Sequence, residues 1–235
     1  MANLNENHLE SLQEHPFDPI WKRAYKRLVR MITTMELKPY EKLSETYLVN
    51  KFNIGRSPAK MALEQLEKMG LVYKSGKNYL VSSLSASDCM NICHLRIGLE
   101  GEAAYIAAKK IGQNQLSEML SLIKQQQLLT EETQEDFANI DHSLHRIIID
   151  AAENPYISAT YAAYEAQILR YRFFSLMANH SLSPDYILKC HTAIYYALKH
   201  HNSKGAKEEV IQDISGMVFI AGFLPKAAEL NADIT

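Results

Sequence analysis

Four residues of this 235-residue chain interrupt apolar helical faces with side chains able to hold a metal ion. In FANIDHSLHRIII (residues 137–149) a 3.6-residue period puts Phe137, Asp141, Leu144, His145 and Ile148 on one face, so Asp141 and His145 lie one turn apart. In DYILKCHTAIYYALK (residues 185–199) His191 shares a face with Ile187, Ile194, Tyr195 and Leu198. Farther on, Asp213 falls in line with Ala206, Val210, Met217 and Ile220. Burying such groups without partners is costly. Imidazole and carboxylate both suit a divalent cation, and convergence on one would satisfy all of them together. The alternatives are separate hydrogen bonds for each, or a helical phase one residue away that turns them outward.

Three further features bear on chemistry. Arg96 shares a face with Ile92 and Leu99, where it either clamps a carboxylate or pairs with Glu100. Arg170 and Arg172 lie close to one another on a later helix, and only the inward one of the two can reach a buried ligand. Cys89 and Cys93 have neither haem-attachment spacing nor a partner pair for a zinc site, so they read as packing thiols. An enzyme built on a helical bundle is the rival reading. Di-iron bundles need paired Glu-x-x-His motifs, which the chain lacks, and a mononuclear hydrolase needs a general base that the sequence does not reveal.

A second chemistry sits near the N-terminus. Ser44 is suited to cap a helix carrying Leu48, Val49 and Phe52, and Asn53-Ile54-Gly55 breaks it. Ser57-Pro58 reads as the cap and first residue of a second helix with Ala62, Leu63, Leu66 and Met69 on its apolar face, stopped by Gly70. Leu71–Tyr73 and Tyr79–Val81 then read as strands joined by the basic turn Lys74-Ser75-Gly76-Lys77-Asn78. Helix, tight turn, helix and hairpin make a winged helix-turn-helix. Its second helix would present Arg56, Ser57 and Lys60 at the end that reads base edges in a major groove, with Lys74 and Lys77 on the wing. Before it, a helix from Pro19 carries Trp21, Ala24, Tyr25, Leu28, Ile32 and Met35 on one face and Lys22, Arg23, Lys26, Arg27 and Arg30 on the other.

These elements divide into two modules. Residues 1–17 are polar and expected to fray, 18–81 form the winged helix, and 82–87 (SSLSAS) form a linker. Residues 88–225 are almost continuously helical in period, with breaks at Gly112, Asn154-Pro155, Ser183-Pro184 and His201-Asn202, which predicts an antiparallel bundle of about six helices before a tail at 226–235. The fold class is therefore mostly α. Net charge is only −2, but residues 1–80 carry 13 Lys+Arg against 9 Asp+Glu, leaving 12 against 18 beyond. A basic module joined to an acidic one suits a DNA reader attached to something else. No apolar run is long enough for a membrane span, and nothing resembles a signal peptide. Three cysteines fit reduced thiols, so a cytoplasmic protein is expected.

The stretch GRSPAKMALEQLEKMGLV (residues 55–72) resembles the signature of the GntR family of bacterial transcription regulators, matching at Arg56, Ser57, Pro58, Ala62, Leu63, Leu66, Gly70 and Leu71. The resemblance implies DNA contacts from Arg56, Ser57 and Lys60, and a wing tip at Ser75-Gly76 with Lys77 beside it. Gly55 and Lys60 depart from the family pattern, which has a hydroxyl residue and a second arginine there. From Asp88 onward the chain is similar to the FCD ligand-sensing domain of FadR-type members. Arg96-x-x-Leu99-Glu100, Asp141-x-x-Leu144-His145 with Asn154-Pro155, and Cys190-His191-x-x-Ile194 carry that likeness. Metal-binding members use one aspartate and three histidines, so the resemblance implies a site of Asp141, His145 and His191, with Asp213 where the last histidine falls. It implies zinc, nickel or manganese as the divalent ion, a small carboxylate effector beside it with Arg96, Arg170 or Arg172 as clamp, and a homodimer on a pseudo-palindromic double-stranded operator. Repression is the commoner outcome in that family. A metal-free acyl-ligand sensor is the alternative within it. His142, His180, His200 and His201 match no ligand position and read as surface residues.

Overall fold

The structure is a computed structural model that describes residues 17–129, 134–178 and 184–221. The proposed fraying of residues 1–17 and the tail at 226–235 lie, apart from Phe17, outside the described residues, as does His180. The chain divides between Leu84 and Ser85 into two compact units, the first of which also takes in residues Tyr164–Arg170.

The first unit runs α1 (Ile20–Thr33), β1 (Lys42–Leu43), α2 (Glu45–Phe52), α3 (Arg56–Lys68), β2 (Val72–Ser75) and β3 (Asn78–Val81). The three strands form an antiparallel sheet in the order β1-β3-β2. Its core is fully enclosed at Leu28, Ile32, Leu43, Leu48, Leu63 and Leu66. Ser44 caps α2, its hydroxyl accepting from Tyr47 N at 3.1 Å. Asn53 closes α2 in the left-handed region, which asparagine tolerates. Gly70, at φ +69°, follows α3 where a side chain would be strained, and a Cβ there would come 2.7 Å from Gln167 Nε2. Gln167 uses that nitrogen to donate to Met69 O at 2.6 Å.

Three details differ from the sequence reading. The N-cap of α3 is Gly55 rather than Ser57, so Arg56, Ser57 and Pro58 are its first three residues. Proline is tolerated there because first-turn N–H groups have no partner within the helix. Lys26 is not on the outer face of α1. Asp18 pulls its ammonium in at 2.8 Å and the stem is buried. Met35 lies past the end of α1 with φ 62°, off the helical face assigned to it.

The remaining helices among the described residues are α4 (Ala86–Ala107), α5 (Gln113–Gln126), α6 (Gln134–Ala151), α7 (Pro155–Ala178), α8 (Pro184–Lys199) and α9 (Ser203–Ala221), and all belong to the second unit except for Tyr164–Arg170 of α7. α4 packs on α6 and α9, α8 packs on α9, and α5 packs on both α6 and α8. Gly101 permits the close approach of α9, since a Cβ would meet Ile211 at 3.2 Å. Ser85 caps α4, so the helix begins inside the stretch read as linker. Asn154 Oδ1 accepts from Tyr156 N and Ile157 N, and Pro155 occupies the first helical position. No helix among the described residues is long and apolar enough to cross a membrane.

Candidate metal centre and nucleic-acid interface

In the second unit, α6 supplies Asp141 and His145, α8 supplies His191 and α9 supplies Asp213, all buried. Because i and i+4 share a helical face, Asp141 and His145 present their ends to the same space. Potential ligand atoms of the four residues all lie within 4.8 Å of one another. His145 Nε2 is 3.0 Å from Asp213 Oδ2 and 3.8 Å from Asp141 Oδ1. His191 Nε2 is 2.9 Å from Asp141 Oδ1 and 3.9 Å from Asp213 Oδ1. The two imidazoles meet edge to face, with centroids 5.7 Å apart.

The outer nitrogen of each ring has its own partner. His191 Nδ1 stands 2.8 Å from Gln126 Oε1, an acceptor, so the proton belongs on Nδ1 and the Nε2 lone pair is left for the centre. His145 Nδ1 lies 2.5 Å from Glu100 Oε2, a charged contact outside hydrogen-bond geometry. Glu100 in turn takes Arg96 Nε at 2.6 Å and Nη2 at 3.2 Å. Metal-ligating histidines are commonly oriented in this way by an acceptor behind the ring.

The residues fit a divalent ion. Ligand bonds of about 2.0–2.2 Å place opposed ligand atoms up to about 4.4 Å apart, close to the spread found here. Among the described residues, His145 Nε2 and His191 Nε2, and His145 Nδ1 as well, are buried with no hydrogen bond of proper geometry, despite the carboxylate oxygens around them. Lone pairs converging on a cation would leave the two inward Nε2 atoms in that condition. Two imidazoles and two carboxylates would hold the ion, which would supply positive charge and an acceptor position for an anionic ligand.

The electrostatics agree. Burial by itself pushes the Asp141 carboxyl up, but Arg172 and both imidazoles overcome it and hold the group well below the usual carboxylate range. For Glu100, burial is likewise outweighed by Arg96 and His145. His145 is pushed down by burial and by Arg172, but Glu100 and Asp213 prevail and raise it. Without a metal, a proton on His145 thus supplies part of the positive charge that the carboxylates demand. Cys190, next to His191, is pushed up to about 11 by burial and by Asp213, so it remains a neutral thiol.

The three arginines part ways. Arg172 enters the centre, with Nε 2.5 Å from Asp141 Oδ2, and its Nη1 and Nη2 are buried without a hydrogen-bond acceptor among the described residues. Arg96 is occupied by Glu100. Arg170 belongs to the first unit, where it donates to Ser82 O at 2.6 Å, and is not part of the cluster. His142 corrects the surface reading, being fully buried and stacked on Tyr161, while His200 and His201 are exposed. Two functional neighbours had weak sequence signals. Glu100 was visible only as a partner for Arg96, and Gln126 sits in a run of three glutamines that singles out none of them.

In the first unit Arg56, Ser57 and Lys60 are all exposed on the first turns of α3. Gly55 offers no side chain to cap the helix, so the leading N–H groups stay open to an outside acceptor. Among the described residues, Lys60 makes only a long exposed contact with Glu64, at 3.7 Å. Ser75 pairs with Asn78 across a two-residue tip, Gly76-Lys77, shorter than the five-residue turn expected. Gly76, at φ +60°, takes the first central position, where such hairpins favour glycine. Ser75, Gly76 and Lys77 are exposed.

Comparison with known proteins accords with both halves. Residues 91–215 match the FCD domain family, and residues 21–77 match the family described as bacterial regulatory proteins, gntR family. The HTH-type transcriptional regulator YdhC of Bacillus subtilis is 26% identical over 82% of this chain and 87% of its own length. The HTH-type transcriptional repressor RspR of Escherichia coli is 25% identical over 86% of this chain and 89% of its own. Among solved structures, Escherichia coli McbR/YncC shares the fold with a TM-score of 0.75 at 14% identity, covering 88% of this chain and 99% of that one. A GntR transcriptional regulator from Rhodococcus sp. RHA1 superposes with a TM-score of 0.73 at 17% identity, covering 87% and 99%. The chain belongs to the gntR family of bacterial regulatory proteins, in the group carrying an FCD domain, and is a DNA-binding transcription regulator with an effector-binding domain.

Proposed function

We propose that this regulator is a homodimeric repressor whose affinity for a pseudo-palindromic operator is set by a divalent metal and a small carboxylate in its helical unit. Asp141, His145, His191 and Asp213 hold the ion, which is zinc, nickel or manganese, and Arg172 receives the acid. Arg96 supports this arrangement from outside it, through Glu100. Arg56, Ser57 and Lys60 contact DNA from α3, and Ser75, Gly76 and Lys77 do so from the wing. The observation that carries the reading is the pair of buried imidazoles whose inner nitrogens face both aspartates, with Gln126 behind one ring and Glu100 behind the other. An effector acts on DNA binding only through unequal affinity for DNA-competent and DNA-incompetent states.

Selection of bound duplexes from random DNA, followed by fluorescence anisotropy on the recovered site, tests the proposal. Adding chelator, then zinc, nickel or manganese, then small carboxylates, should change the apparent Kd by a factor of about 5–150, the range of ordinary allosteric coupling. A recovered site whose Kd is indifferent to all three additions would contradict it. Conversion of an added acid into product would favour an enzyme instead.

A further inference from the structure

We propose that the acid taken up at this centre carries a single negative charge, and that Asp213 is the residue that sets the limit. This rests on the metal-and-acid reading above and narrows it to a charge class. Among the described residues, the buried carboxylates and guanidiniums of the second unit are Glu100, Asp141, Asp213, Arg96 and Arg172. Arg96 and Glu100 face each other through two contacts and cancel. Asp141 and Asp213 together match the charge of a divalent ion whose other ligands are neutral imidazoles. Arg172 is what remains.

Among the described residues, Arg172 meets an acid only at Asp141, through Nε. Its Nη1 and Nη2 are buried and lack an acceptor among the described residues. A guanidinium offers those two donors as a planar fork matched to one carboxylate. One unbalanced positive charge and one open fork on the same group call for one carboxylate. A second carboxylate in the same buried space would have no partner, and an unpaired buried charge is strongly disfavoured. Were residue 213 neutral, the surplus would rise by one charge and a dianion would be accommodated. Asp213 therefore acts as a metal ligand and also as a filter on the effector.

The test is isothermal titration calorimetry on the manganese-loaded full chain. Succinamate and succinate share a skeleton and differ by one charge, and lactate and malate supply a second comparison. The native protein should bind succinamate and lactate at least about tenfold more tightly than succinate and malate. D213N keeps an oxygen ligand while removing one charge, and should move that preference toward the dianions. Dianions binding the native protein as tightly as monoanions overturn the proposal, as does an unchanged monoanion preference in D213N with its metal retained. If D213N does not retain metal, the native comparison decides alone. Metal uptake with no binding of either class to the native protein defeats the acid-sensor reading itself and the charge limit with it.

Discussion

Asp141 stands between opposite demands: burial disfavours its charge, while Arg172 and two imidazoles hold it ionised. Asp141→Ala should therefore do more than remove a ligand, because it strands Arg172 in the interior. Loss of one member of a buried pair costs about 3–5 kcal/mol, measurable as a drop in unfolding free energy of metal-free protein in urea. A change under about 0.5 kcal/mol would mean that Arg172 is not buried against it. His145 gives a pH signature. Its imidazole is raised in the folded chain, so it adds stability that is complete below the unfolded value of about 6.5 and is lost as pH rises through the folded value. His145 would have to give up that proton to ligate a metal, so the stabilising effect of added metal should grow over the same rise. Melting curves of metal-free and metal-loaded protein at several pH values should diverge upward from about pH 6.5, and parallel curves would contradict this. At this scale periodicity exposed the four inward polar residues, because a carboxylate on an apolar face is conspicuous. It could not show that Arg96 belongs to Glu100, that Gln126 orients His191, or that His142 is buried, because those depend on contacts between separate helices.

At the scale of elements, capping and turn chemistry govern where helices stop. Gly70 combines a positive φ with the close approach of Gln167 Nε2. Gly70→Ala should cost about 2 kcal/mol, from left-handed strain and the disturbed Gln167 hydrogen bond to Met69 O. Urea unfolding checks this, and a neutral result would mean that the turn relaxes freely. Helix and strand boundaries came within a few residues of the structure because serine, proline, glycine and asparagine mark them chemically. Ser57-Pro58 resembles a cap followed by a first helical residue, but the helix already begins at Arg56 behind Gly55, since proline fits anywhere in the first turn. Lys26 reads as solvated charge on a basic face until Asp18, eight residues before it, draws its ammonium inward.

For the whole molecule, the near-neutral net charge conceals a basic first third and an acidic remainder, consistent with one module for phosphate and another for a cation. Arg56→Ala should weaken binding to the selected duplex by about 1–3 kcal/mol and relax its sequence preference. Lys77→Ala should weaken binding evenly across sequences and reduce the salt slope by about one. Anisotropy titrations at several salt concentrations separate the two effects, and an unchanged Kd for Arg56→Ala would remove α3 from the interface.

The most direct test of the centre is elemental analysis of purified native protein beside Asp141→Ala and His191→Ala, each incubated with zinc, nickel and manganese and then desalted. We expect about one divalent ion per native chain and almost none in either variant, since each loses one of only four protein ligands. No retained metal in the native protein, or equal metal in all three, would contradict the account.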